Sequence, residues 1–115
     1  MSIQREGQPT ARCALYVRTA AGGSKAIESQ LALTKAAIAD REGATVVGEY
    51  RDVNVSGAGG PGPGLAALLA EVAAGGIDLV VVTGLGRLGR SMRGLNDTLA
   101  AIERGGAQVL TVERG

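Results

Sequence analysis

Four short apolar runs, separated by segments of helical character, constrain the fold of this chain more than any other feature. The third run, IDLVVVT at 77–83, is almost entirely apolar, which is typical of a strand buried on both faces of a parallel sheet. Aromatic residues make up only 2% of the chain, so Val, Leu, Ile and Ala must fill the core. The runs predicted as strands are residues 13–18, 44–50, 77–83 and 107–112.

Helices are predicted between these strands from residue spacing and from capping residues. Ser24 is suited to cap the first helix, and Pro63 is suited to the first turn of the second. Strands and helices therefore alternate, and right-handed connections between them give a three-layer α/β fold. We expect a mainly parallel four-stranded sheet with helices on both faces. The predicted helices are residues 24–41, 64–74 and 91–104.

The bulk properties of the chain limit the kinds of function it can have. Its 115 residues suffice for one domain, expected at 13–115 after a flexible polar tail at 1–12. The tail lacks the apolar segment of a signal peptide, and no apolar run approaches the ~20 residues of a membrane span, so no membrane contact is expected. Cys13 is the only cysteine and there is no His, so we expect no disulfide, no zinc site and a cytoplasmic protein. A net charge of +1 gives no overall attraction to nucleic acid.

The segment VVVTGLGRLGR (80–90) supports two interpretations. The GLGRLG loop (84–89) has the GxGxxG spacing of a small nucleotide-binding domain, and Glu113 follows at roughly the distance of a ribose-binding acid. That fingerprint normally occupies the first strand-to-helix turn, whereas here it follows the third predicted strand. The other interpretation is that Arg87 and Arg90 bind a phosphate group through their forked donors.

Five segments distributed along the chain match, in order, motifs of one protein family. Together they resemble the N-terminal catalytic domain of the serine recombinases, the resolvase and invertase family, whose members carry out site-specific DNA recombination. The resemblance extends over residues 13–112 and implies a resolvase-like fold. The matching segments are YVRTA (16–20), IESQL (27–31), DVNVSG (52–57), PGL (63–65) and LGRLGRS (85–91).

The resemblance implies a specific chemistry and specific partners. In the family, a serine hydroxyl attacks a DNA phosphodiester and stays joined to the 5′ end, while arginines stabilise charge on the phosphoryl oxygens. DNA is the implied partner, and pairing is expected either as a homodimer or as a heterodimer with an active recombinase; no cofactor is implied. The matching residues are Arg18, Arg87 and Arg90, expected to bind a phosphate or other anion, and Tyr16, Gln30 and Ser56, expected to support them.

Three positions depart from the family pattern. Ala20 stands where the nucleophilic serine is expected, Gly86 where an aspartate is expected, and Gly62 where an arginine is expected. No catalytic residue is therefore assigned, because covalent catalysis requires a nucleophile. The leading hypothesis is an inactive recombinase-like domain that serves as an interaction or regulatory module.

Two alternatives stay open, so whether the chain is an enzyme is not decided by its sequence. One is a DNA recombinase fragment that acts only with its missing parts, since the family's long dimerisation helix and DNA-binding domain are expected to be absent here. The other is a small nucleotide-binding domain that uses the 84–89 loop.

Overall fold

A four-stranded parallel sheet forms the centre of the molecule. The computed structural model describes residues 11–19, 24–53, 62–89 and 91–112. The strand order is β2-β1-β3-β4, and every neighbouring pair is parallel, as predicted. The strands are β1 (Ala11–Thr19), β2 (Ala44–Val53), β3 (Leu79–Val82) and β4 (Gln108–Thr111).

Helices cover both faces of this sheet, which confirms the predicted three layers. One face carries the first helix and the opposite face carries the other two, as right-handed connections require when the chain moves first to one side of β1 and then to the other. A short 3-10 turn, Leu85–Arg87, follows β3. The helices are α1 (Ser24–Ala39), α2 (Pro63–Ala73) and α3 (Met92–Arg104).

Side chains of the central strand alternate between two apolar clusters. Leu15 packs with Ile27 and Leu31 of α1 on one face, and Tyr16 packs with Leu68 of α2 on the other. All residues from Cys13 to Thr19 are buried, because helices cover β1 on both sides. The central strand therefore reads as a continuous apolar run rather than an alternating one.

The predicted and observed strand boundaries differ by up to three residues. β1 spans Ala11–Thr19 rather than 13–18, and β2 continues to Val53 instead of ending at Tyr50, because Thr19 at the end of β1 pairs with Val53. In contrast, β3 and β4 are shorter than predicted. No helix among the described residues is long and apolar enough to cross a membrane.

The strand order fixes where a ligand site can form. The chain leaves β1 towards β2 on one side and reaches β3 and β4 on the other, so a crevice opens between the carboxyl ends of β1 and β3. Parallel α/β sheets bind ligands at such a switch point. Arg18 stands at the end of β1 and Arg87 in the loop after β3, so both lie at this crevice.

Candidate functional site

Arg18 is a buried cation whose side chain crosses from β1 to the loop after β3. It is only 9% exposed, and its Nε and Nη2 atoms donate to the backbone carbonyls of Arg87 and Gly86 at 3.1 and 2.8 Å. Hydrogen bonds to carbonyl oxygens reduce the cost of burying a guanidinium. This side chain therefore holds the loop that carries Arg87 against the end of β1.

Arg87 makes the reciprocal connection. Its Nη1 donates to the backbone carbonyl of Arg18 at 3.1 Å, and its Nε lies 3.4 Å from Oγ1 of Thr83. Arg18 and Arg87 thus meet at the crevice, as the strand order leads one to expect, and each binds the main chain of the other. The role of Thr83 was missed by the sequence analysis, because nothing in its local pattern distinguishes it from any residue at the end of a strand.

Gln30 completes the end of β1. Its Oε1 accepts from the N–H of Arg18 at 3.1 Å, and its Nε2 donates to the Arg18 carbonyl at 3.0 Å. β3 pairs with β1 only over Cys13–Leu15, so the end of β1 has no neighbouring strand on that side among the described residues. The side-chain amide takes the place of that strand, and buried backbone groups keep their hydrogen bonds. Gln30 therefore has a positioning role.

Tyr16 and Asp52 form a second buried connection, between the sheet and α2. The Tyr16 hydroxyl donates to Oδ2 of Asp52 at 2.7 Å, and Asp52 accepts from the N–H groups of Gly64 and Leu65 at 2.7 and 2.9 Å. Burial, together with the adjacent carboxylate, raises the pKa of Tyr16, which stays protonated as a donor. Asp52 was not assigned to the site from sequence, although it begins the DVNVSG segment of the family resemblance.

The first residues of α2 lie very close to this carboxylate. A Cβ atom added to Gly62 would be 2.8 Å from Cγ of Asp52, and one added to Gly64 would collide with the backbone carbonyl of Arg51. Gly64 is therefore needed for the close approach of α2 to β2. Any residue with a side chain at position 62, including the arginine that the family pattern has there, requires Asp52 or the backbone to shift.

Gly86 has the opposite surroundings. A Cβ atom added there would meet nothing within 4 Å, so the absence of the family's aspartate has no steric cause. The backbone N–H groups of Arg87 and Leu88 donate to the carbonyls of Gly84 and Leu85, at 3.1 and 2.9 Å. A dinucleotide loop uses free amide groups at a helix start to hold pyrophosphate. Here these two amides are already used within the 3-10 turn.

The third helix, α3, does not continue from the 3-10 turn but begins at Met92 with its own capping residue. Ser91 caps α3 by accepting from the N–H of Gly94 at 3.0 Å. Ala20, Ser56 and Arg90 lie outside the described residues, so the expected nucleophile position, one supporting residue and one arginine are not part of this geometry. The described part of the site is thus an arginine pair, a strand-completing amide and a capped helix start.

The sheet has the order β2-β1-β3-β4, helices on both faces and two arginines at its switch point. This arrangement defines the class of open α/β domains whose ligand sites lie at the carboxyl ends of the strands. The family can be stated more narrowly. Residues 13–115 match the resolvase N-terminal domain, and the chain belongs to this family. A comparison with curated protein sequences gives no match.

Solved structures of serine recombinases share the fold. The C-terminal catalytic domain of ISC1926 TnpA, an IS607-like serine recombinase, is 26% identical with a TM-score of 0.76, over 90% of this chain and 71% of that one. The N-terminal catalytic domain of TP901-1 integrase is 31% identical with a TM-score of 0.71, over 88% and 76%. A resolvase family site-specific recombinase from Streptococcus pneumoniae has 24% identity and a TM-score of 0.75, over 89% and 72%.

Proposed function

We propose that this resolvase-family domain does not cleave DNA and acts instead as an interaction or regulatory module, pairing with active recombinases. One observation carries the proposal: Ala20 stands at the position of the attacking serine. A methyl group can neither attack phosphorus nor form a phosphoserine bond. The family as a whole acts on DNA. A member without that hydroxyl can retain the fold and its contacts with other family members without cutting a strand.

The residues at positions 62 and 86 also support the loss of catalysis. Neither position supplies the charged side chain of the family pattern, and the Cβ of an arginine at position 62 would press on Asp52. A single exchange at Ala20 is what an inactivating substitution would leave behind. Three exchanges at separate positions are better explained by the loss of selection for cleavage.

The two arginines at the crevice support a structural use of the former site. Arg18 and Arg87 donate to backbone carbonyls of each other's segments, which stabilises the end of β1 and the loop after β3. The same donors in an active site would be aimed at phosphoryl oxygens. We propose that binding of a phosphate by Arg18, Arg87 and Arg90 is at most a secondary property of this domain.

A chimera tests the proposal directly. The full chain replaces the catalytic domain in a family member whose DNA site is known, and covalent protein–DNA adducts are measured on that site. We expect no adduct from the chimera that carries the unaltered chain. A control protein with the same junctions and the family member's own catalytic domain should give an adduct. Adduct formation by the unaltered chain would favour the alternative of a recombinase fragment and would refute the proposal. The double variant Ala20→Ser, Gly86→Asp in the same chimera tests whether restoring these two side chains is enough to recover adduct formation.

A further inference from the structure

The outer edge of β2 has no neighbouring strand within the described part of the chain. β2 is bonded to β1 on one side, and no described strand lies on its other side. Two of its valines, Val47 and Val53, are 50% and 44% exposed. Exposed edges of this kind pair with further strands unless the protein prevents it.

The strand register shows which backbone groups of β2 face outward. The N–H of Ala11 donates to the carbonyl of Gly43 in the turn before β2, whereas the carbonyl of Arg12 accepts from Asp78 beside β3. Odd-numbered residues of β1 therefore bond to β2, since backbone groups alternate sides along a strand. Leu15 lies opposite Glu49 and bonds to the residues on either side of it. The N–H and carbonyl groups of Glu49 and Arg51 consequently point away from β1.

An inverted copy of the same strand matches this edge. If two copies of β2 lie antiparallel with Tyr50 at the twofold axis, Glu49 falls opposite Arg51 of the second copy, and Arg51 falls opposite its Glu49. Both members of each pair have outward-facing backbone groups, so each pair can exchange two hydrogen bonds. Opposite charges directly across an antiparallel pair are favourable, and like charges are not.

Side chains on the α1 face of the edge are also complementary. In the same register, Val53 lies opposite Val47 of the second copy, so both exposed valines gain an apolar neighbour. A groove of about 350 Å³ opens beside Val53, between α1 and β2, and is lined by Ile27, Glu28, Leu31, Arg51 and Val53. Val47 of the second copy would lie at the mouth of this groove.

The irregularity in β2 limits the pairing to one segment. The register with β1 shifts between Cys13 and Ala14, which leaves Val47 as an extra residue. Such a bulge bends the strand and interrupts the ladder before it.

Glu49 is already bonded to Arg51 and Lys35 of its own chain, at 3.1 and 3.2 Å. Pairing with most other strands would bring like charges together or remove Glu49 and Arg51 from water without an opposite charge. An inverted copy of β2 instead places an opposite charge across from each of them.

We propose that two copies of this chain associate through antiparallel pairing of residues 47–53 of β2, which joins the two sheets into one. The proposal concerns a surface away from the crevice between β1 and β3 and does not depend on whether the domain is catalytic. A contact built on one strand edge is small, so we expect a weak, concentration-dependent dimer.

Charge exchange tests the pairing. In sedimentation velocity over a concentration series, Glu49→Arg and Arg51→Glu should each weaken self-association at least about tenfold, because each places like charges opposite one another. An equimolar mixture of the two variants, and the double variant E49R/R51E, should both recover association. The matched control is Arg104→Glu, which reverses an exposed charge in the last turn of α3, away from β2. Circular dichroism melting confirms that every variant is folded.

Three results of this series would overturn the proposal. The first is a wild-type chain that stays monomeric at the highest concentration reached. The second is a mixture that associates no better than the two single variants, which would mean that the charges are not paired across the contact. The third is association that persists unchanged in both single variants, which would place the interface elsewhere on the molecule.

A cross-link tests the register. Residues at the twofold axis of an antiparallel pair have Cα atoms roughly 4.5–5.5 Å apart, within the range of a disulfide. Tyr50→Cys should therefore yield an oxidised dimer, while Thr45→Cys, on the same strand before the bulge, should not. Both variants retain the buried Cys13, so this thiol does not distinguish them. Equal cross-linking of the two variants would refute the register.

Discussion

Asp52 is 2% exposed, and three donors point at its carboxylate: the Tyr16 hydroxyl and the N–H groups of Gly64 and Leu65. The N-cap residue of α2, Gly62, has no side chain to cap the helix. A carboxylate at a helix start satisfies the unpaired N–H groups and is stabilised by the helix dipole. Asp52 thus caps α2 from the neighbouring strand.

Removing the Tyr16 hydroxyl should weaken this connection measurably. Tyr16→Phe keeps the buried ring but leaves the Asp52 carboxylate with one donor fewer, and hydrogen bonds to charged groups contribute about 1.5–3 kcal/mol. We expect a loss of that order in the free energy of unfolding, measured by urea denaturation at neutral pH.

The matched control is Tyr50→Phe. The Tyr50 hydroxyl has no hydrogen-bond partner among the described residues, and its ring is partly exposed. This variant should unfold within about 0.5 kcal/mol of the wild type. Equal effects of the two variants would mean that Asp52 gains nothing specific from Tyr16.

At the scale of the elements, one ion pair ties the starts of β1 and β3 together. Asp78 accepts from Nε and Nη2 of Arg12 at 3.0 and 2.9 Å and from the Arg12 N–H at 2.7 Å. Hydrogen bonds from the Arg12 side chain and backbone lower the pKa of Asp78 from 3.8 to about 2. Both side chains are nearly half exposed, so water screens the pair and its contribution to stability is small.

This lowered pKa predicts the direction of a pH effect. Because the folded state holds the Asp78 proton less tightly than the unfolded state, the stabilisation is complete above about pH 5 and is lost as the pH falls towards 2. The difference in urea midpoint between the wild type and Asp78→Asn should therefore shrink between pH 5 and pH 2.5. A difference that stays constant over this range would show that the charge of Asp78 does not matter.

At the scale of the whole molecule, the proposed function makes the domain a partner for other family members. Oligomers in which one subunit lacks a nucleophile cannot cut the strand assigned to that subunit. If the chain pairs freely with an active recombinase at equal amounts, fully active dimers should fall to about a quarter of all dimers by random pairing.

This expectation is checked by recombination of a plasmid substrate, with native mass spectrometry to detect mixed species. An equal amount of an unrelated monomeric protein is the control. Undiminished recombination together with an absence of mixed species would contradict the pairing, even if the chain itself proves unable to cut DNA.

The sequence predicted most of the fold because its signals are local. Continuous apolar runs identified the strands, and alternation with helical segments fixed a parallel three-layer arrangement, since right-handed connections leave few others. The LGRLGRS and YVRTA segments identified the family for the same reason: each motif is contiguous in the chain. The end of β2 at Val53 was not predictable, because it depends on the length of its neighbour β1.

What the sequence by itself determined is the family and the chemical groups that each residue brings: Ala20, for example, has no hydroxyl in any conformation. Only the tertiary structure decided what the remaining polar groups do. Arg18 and Arg87 bind each other's backbone, Gln30 replaces a strand, and Asp52 caps α2. These partners lie between 12 and 69 residues apart along the chain. No local pattern specifies such contacts, because a buried polar group takes whichever partner the packing of helices and strands brings within hydrogen-bond distance.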